Sequence, residues 1–167
     1  TAPPDATPDA TFVFGYDYTP PPASGLPDGL DPATWVTHLT DDLLPYWKMA
    51  EAKGTPVGNF PTFRGMDGTV QPPGQRKPRM MGRQVFAYCV GFLMTGDESL
   101  LDLARAGTRW ILDHAEDKGR GGFYADLDSD GKPYQDNEKW AQDLAYTVMG
   151  PAMYYYVTRD PEAEALV

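Results

Sequence analysis

The stretch GGFYADLDSDG, Gly121 to Gly131, has an earlier counterpart in GNFPTFRGMDG, Gly58 to Gly68, and the relation between the two decides the fold. Taken alone, the later stretch resembles a calcium loop. Asp126, Asp128, Asp130 and Gly131 stand where positions 1, 3, 5 and 6 of an EF-hand loop would be, three carboxylates and a glycine for the bend. The loop then fails, because position 12 is Asn137 in place of a bidentate Glu and position 8 is Pro133. The earlier copy has Phe63 and Gly65 where Asp126 and Asp128 would be needed, yet it keeps Gly58, Phe60, Asp67 and Gly68 at a common offset of 63 residues. An aromatic after glycine and a terminal Asp-Gly are the chemistry of two short strands closed by a turn that needs φ > 0. The motif therefore reads as a repeated β-hairpin, with no metal site.

The same offset of 63 residues pairs TGD at 95–97 with TRD at 158–160, so the repeat extends to a whole helical unit. Asp31-Pro32 supplies an N-cap and a first-turn proline, and the run to Gly54 carries Trp35, Leu39, Leu43, Leu44 and Trp47 at helical spacing, with a bend expected at Pro45. A second helix is expected from about Arg79 to Met94, closed by Gly96. A third starts at the Asp97 cap and runs to Glu116 on the stripe Leu100, Leu103, Ala104, Trp110 and Ile111, with Gly119 beyond it as a stop. A fourth is expected from about Asn137 to Val157, and Asp160-Pro161 opens a fifth.

The first and third helices carry charge on one face, whereas VFAYCVGFLM (85–94) and LAYTVMGPAMYYYV (144–157) are apolar almost all round. A helix apolar on every side expects burial on every side. Amphipathic outer helices alternating with buried inner ones describe an all-α fold, the αα-toroid. Its ring does not close with two units and part of a third, so residues 31–167 read as the N-terminal part of a barrel domain in a longer protein. A self-contained bundle of three or four helices is the other reading.

A chain of 167 residues with 41% hydrophobic and 13% aromatic content can build a core. Lys and Arg number 14 against 24 Asp and Glu, a net charge of −10, with no basic stripe to follow phosphates, so nucleic acid and anionic membranes are not expected partners. The run Val85–Met94 is about half a bilayer span. Cys89, the single cysteine, lies inside it and reads as a packing thiol. Residues 1–30 contain TAPPDATPDA and TPPPASGLPDG and begin without Met; they read as an extended lead-in of the kind left by signal-peptide removal. A secreted or periplasmic location stays as open as a cytoplasmic one.

Over residues 33–167 the chain resembles the N-acylglucosamine 2-epimerases and their relatives, the cellobiose 2-epimerases and mannose isomerases. The resemblance rests on a Trp-containing first helix, on GNFPTFRGMDG and GGFYADLDSDGKP as its two hairpins, on MMGRQVFAYCVGFLMTGD, and on KWAQDLAYTVMGPAMYYYVTRDPEA. It implies an (α/α)6 barrel, here its first two helical hairpins and part of a third with short β-hairpins in the loops; six units of about 63 residues need roughly 380. It also implies interconversion of a free mono- or disaccharide at carbon 2 through proton abstraction and an enediolate, with neither metal nor organic cofactor. The partner implied is a small sugar, and a homodimer stays open.

Such a site needs a base and a fixed cation for the enediolate oxygen. Arg83 matches the family's active-site arginine and sits near the N-terminus of an apolar helix, where the helix dipole disfavours a cation. The family's two acid/base histidines lie in later helices that nothing in this sequence matches; His38 and His114 read as packing or capping residues. Phe60, Tyr124 and Trp140 could stack on a sugar or serve the core. Asp143, a carboxylate in an apolar helix, needs a partner: a substrate hydroxyl, Lys139 or a neighbouring backbone group. MGR and GNFP depart from the family's usual residues and leave the sugar open. A hydrolase or lyase on the same toroid, and a non-catalytic sugar-binding protein, are the competing readings.

Overall fold

The computed structural model describes residues 31–134 and 138–165. The expected lead-in, residues 1–30, lies outside them, as does Asn137. The chain divides into two units, one ending at Val36 and one starting at Thr37. Helix α1 (Pro32–Thr37), which starts in the first, opens as expected: the Asp31 carboxylate accepts from the Ala33 N–H at 3.2 Å and from the Thr34 hydroxyl at 3.4 Å.

From Thr37 the second unit continues as a π-helical stretch, His38–Leu43, then α2 (Leu44–Trp47) and α3 (Ala50–Lys53). The sequence suggested a bend at Pro45; the chain instead widens before it, and the Leu44 N–H reaches back five residues to the Leu39 carbonyl. Proline offers no N–H and crowds the carbonyl four residues earlier, so the wider turn accommodates a missing bond. A second break falls at Met49, which is extended at ψ 154.

The remaining elements are α4 (Pro78–Thr95), α5 (Glu98–Trp110) with a π-helical end at Ile111–Ala115, α6 (Ala141–Thr158) and α7 (Pro161–Glu164). Both bounds of α4 and α6 differ by 63 residues, and the two helices are closed in the same way. Gly96 closes α4 at φ 73 and Arg159 closes α6 at φ 59, both left-handed. Asp97 and Asp160 then cap the next helix, accepting from the Ser99 and Glu162 N–H groups. The hairpins repeat in the same register, as the bridges Arg64 to Val70 and Leu127 to Pro133. Their turns close where Asp-Gly predicted, with Gly68 at φ 90 and Gly131 at φ 82. The carboxylates serve these turns: Asp67 takes the Thr69 N–H and hydroxyl, and Asp128 takes the Asp130 and Lys132 N–H groups at 2.9 Å. Among the described residues the strand pairing is limited to isolated bridges, a weaker form of the expected hairpins.

The fourth helix starts at Ala141, four residues later than expected, because Trp140 is extended at φ −99, ψ 136 and the preceding Lys139 is drawn to Asp117. Helix α4 packs against both α5 and α6. Its Met81, Val85, Tyr88 and Cys89 join Phe60, Leu100, Leu103, Ile111, Leu127 and Tyr154 in the core. Glycine lets α4 and α6 touch: a Cβ on Gly82 would lie 2.2 Å from the Tyr146 carbonyl oxygen, and one on Gly150 2.3 Å from that of Gly82. Helix α6, expected to be buried all round, buries Thr147, Gly150, Pro151 and Tyr154, while Ala145 and Tyr156 are exposed.

Candidate functional site

The starts of α4 and α6 lie side by side, and each brings polar side chains one turn apart. Arg79 and Arg83 are four residues apart on α4; Asp143 and Tyr146 are three apart on α6. Arg79 Nη1 donates to Asp143 Oδ1 at 3.0 Å, and the Arg83 guanidinium lies 4.1 Å above the Tyr146 ring. Asp143 thus finds its partner in Arg79 and not in the nearer Lys139, because its own helix points it across to α4.

Arg83 is exposed, with Nη1 3.7 Å from Met80 Sδ, and among the described residues it pairs with no carboxylate. The aromatic face stabilises the cation without neutralising it. A permanent positive charge stands ready at the mouth of the helix pair, despite the −10 carried by the whole chain.

Trp140 and Asp143 share a hollow of about 490 Å³, also lined by Lys77, Arg79, Asp126 and Gln142. Its volume lies in the range of roughly 300–1,000 Å³ typical of small-molecule sites. Trp140 is 61% exposed, so a flat apolar ring stands beside charged groups. Lys77 Nζ holds Asp126 at 2.7 Å, and Gln75 donates to the same carboxylate oxygen. Asp126 therefore belongs to the rim of this hollow. Tyr124 lines a neighbouring hollow with Asp117 and Lys139, and Lys139 Nζ lies 5.9 Å from its ring centre. Phe60 is 1% exposed and meets Tyr88 edge-on at 5.6 Å, so its ring belongs to the core and does not line this hollow.

Neither histidine approaches these groups. His38 Nδ1 is 2.7 Å from Asp42 Oδ2, and His114 stacks on Trp110 at 4.6 Å beneath the Gly131 turn.

Lys139 positions Trp140 by reaching across the second hairpin: Nζ donates to Asp117 Oδ2 at 2.6 Å and to the Gly121 carbonyl. The Lys139 hydrogen bond, helped by the Arg120 and Gly119 N–H groups, holds the Asp117 carboxyl down at about 2. Because the folded value lies below the usual ~3.9 of an unfolded aspartate, the contribution of this pair is complete above that value and disappears as pH falls toward about 2. Asp97, bonded by Lys48, is likewise held at about 2 and acts in the same window. In urea titrations the midpoint is expected to fall between pH 4 and pH 2, and Asp117→Asn to lower it at pH 6 while flattening that acid slope. An unaltered slope in the variant would count against the Lys139 pair.

Sequence alone did not assign Arg79, Lys77 and Lys139 to a site. The spacing of Arg79 and Arg83 opposite Asp143 and Tyr146 was a visible signal for the first; the others pair over 49 and 22 residues.

The family described as N-acylglucosamine 2-epimerase (GlcNAc 2-epimerase) matches over residues 58–167. A cellobiose 2-epimerase of Bacteroides fragilis is 26% identical over 126 residues, covering 75% of this chain and 32% of the relative. One from Ruminococcus albus is 26% identical over 129 residues, with 77% and 32% covered. The chain thus spans about a third of the length of the curated relatives it matches. Among solved structures, a sugar epimerase from a ruminal bacterium superposes with a TM-score of 0.68 at 25% identity over 80% of this chain and 34% of that one. The cellobiose 2-epimerase of Spirochaeta thermophila gives 0.66 at 22%, covering 84% and 35%. The helical architecture is accordingly part of an (α/α) barrel, its first two helical hairpins and the opening of a third.

Proposed function

The chain belongs to the N-acylglucosamine 2-epimerase family, and from that membership we infer that it supplies part of the site of a sugar epimerase or isomerase working at carbon 2. The observation that carries the reading is Arg83, a cation stacked on Tyr146 with no carboxylate partner among the described residues, at the position that matches the family's active-site arginine.

The chemistry follows from charge. A base removes the proton on carbon 2 of the open-chain sugar, the C–H electron pair forms the carbon–carbon double bond, and the carbonyl oxygen becomes an enediolate oxygen. The Arg83 guanidinium stabilises that developing charge, and a proton returned to the opposite face of carbon 2 yields the epimer. Base and acid are the family's histidines in later helices. Trp140 offers a ring for a sugar face, and Asp143, fixed by Arg79 through one oxygen, has its second oxygen for a hydroxyl. No helix among the described residues is long and apolar enough to cross a membrane.

The test is incubation of the whole protein with cellobiose, mannose or N-acetylglucosamine in heavy water. Deuterium is expected at carbon 2 of at least one of them; complete retention of hydrogen in all three would refute the reading.

A further inference from the structure

A smaller cavity, of about 160 Å³, lies between α2, the first hairpin and the start of α4, lined by Tyr46, Trp47, Thr62, Arg64, Met80 and Gln84 among others. Arg64 spans it. Its guanidinium lies 4.2 Å from the Tyr46 ring centre and 4.9 Å from that of Trp47, and Nη1 donates to the Tyr46 carbonyl at 3.4 Å. Nη2 is buried without a hydrogen-bond partner, and no carboxylate among the described residues pairs with the side chain. The neighbouring polar groups do not fill this gap. Gln84 Nε2 donates to the Ala52 carbonyl and the Tyr88 hydroxyl, and Tyr88 in turn to the Trp47 carbonyl. Thr62 Oγ1 accepts from the Lys77 N–H at 2.8 Å, which leaves its own proton to give.

The internal repeat shows what folding alone asks of this place. Sixty-three residues on, in the same bridge register, Arg64 is replaced by Leu127, which is fully buried. Thr62 is replaced by Ala125 and Gln84 by Thr147, while Trp47 recurs as Trp110. An apolar residue therefore suffices to seat the hairpin on its helix. A guanidinium with a buried, unanswered N–H is a cost that the second copy of the repeat does not carry.

We propose that this cavity binds a small oxyanion, a carboxylate or phosphate group, to which Arg64 Nη2 and the Thr62 hydroxyl donate. The size agrees: the cavity is several times the ~30 Å³ share of one water and smaller than the ~300 Å³ lower bound of sites for larger ligands. Guanidinium is the side chain suited to such a group, because charge-assisted hydrogen bonds to oxyanions are the strong ones. The cavity shares no lining residue with the hollow beside Trp140 and Asp143, and the proposal does not depend on the epimerase reading.

Calorimetric titration with inorganic phosphate and with acetate, in chloride buffer, tests it. Saturable one-to-one uptake of either ion is expected, weakened at least tenfold in Arg64→Leu, which installs the residue of the second repeat copy, and unchanged in Lys118→Leu, which removes an equal charge elsewhere. Phosphate alone would mark a tetrahedral ligand and acetate alone a planar one. Absence of saturable uptake of both ions, or uptake that Arg64→Leu leaves intact, overturns the proposal. Should Arg64→Leu not fold, the nitrogen-15 resonances of the wild-type Arg64 guanidinium decide: a shift that saturates supports the site, and a fixed resonance removes it.

Discussion

Alanine in place of Gly82 is expected to destabilise the fold by about 3 kcal/mol, near the upper end of what overpacking a core costs. Its Cβ would fall 2.2 Å from the Tyr146 carbonyl oxygen, 2.7 Å from that of Thr147 and 3.0 Å from the Thr147 Cα, all backbone of α6. Backbone does not rotate aside as a side chain would, so the two helices must separate. Separation also loosens Gly150, whose close neighbour is the Gly82 carbonyl, and the core around Val85. Helix propensity works the other way, by about 1 kcal/mol in favour of alanine. The steric clash outweighs it. Ala87→Gly, at an exposed position of α4, isolates the propensity effect as a loss of about 1 kcal/mol. Urea unfolding of both variants measures the difference, and a Gly82→Ala protein as stable as the parent would mean that α4 and α6 do not touch there.

Arg83→Met is expected to slow deuterium exchange at carbon 2 by roughly 10²–10³-fold, the usual loss when one preorganised donor to a developing oxyanion is removed. Stability should hardly change. Arg83 is exposed and has no ion pair to lose among the described residues, and its stacking on Tyr146 contributes about 0.5–1 kcal/mol at such a site. The two measurements together are discriminating, since a structural arginine would produce the reverse pattern. Exchange at the parental rate in the methionine variant would take Arg83 out of the mechanism.

The period was legible because it is written in backbone requirements. Gly68 and Gly131 mark left-handed turns, and Asp97 and Asp160 mark helix starts, signals that survive large changes in the side chains around them. Arg159 was not legible as a helix stop: nothing about an arginine announces φ 59, and the Asp160-Pro161 start that follows is what ends α6 there. The widened turn before Pro45 depends on how a missing N–H is accommodated, which sequence does not specify. Side-chain partners were the least visible. Asp143 needed a partner, and that much was legible; Arg79 became its partner through the crossing of two helices, from a position 64 residues away in the chain. Phe60 could have faced the hollow or the core from the same hairpin position, and packing against Gly107, Val85 and Tyr88 decided for the core.

The placement of Cys89 has a kinetic consequence. The chain's single sulfhydryl is fully buried midway along α4, and burial pushes its pKa up to about 12. Thiolate is the form that alkylating reagents attack, so in the closed molecule the group is chemically silent. It becomes reactive when α4 leaves its neighbours, and because no second thiol competes for label, the alkylation rate serves as a clock for that one opening event.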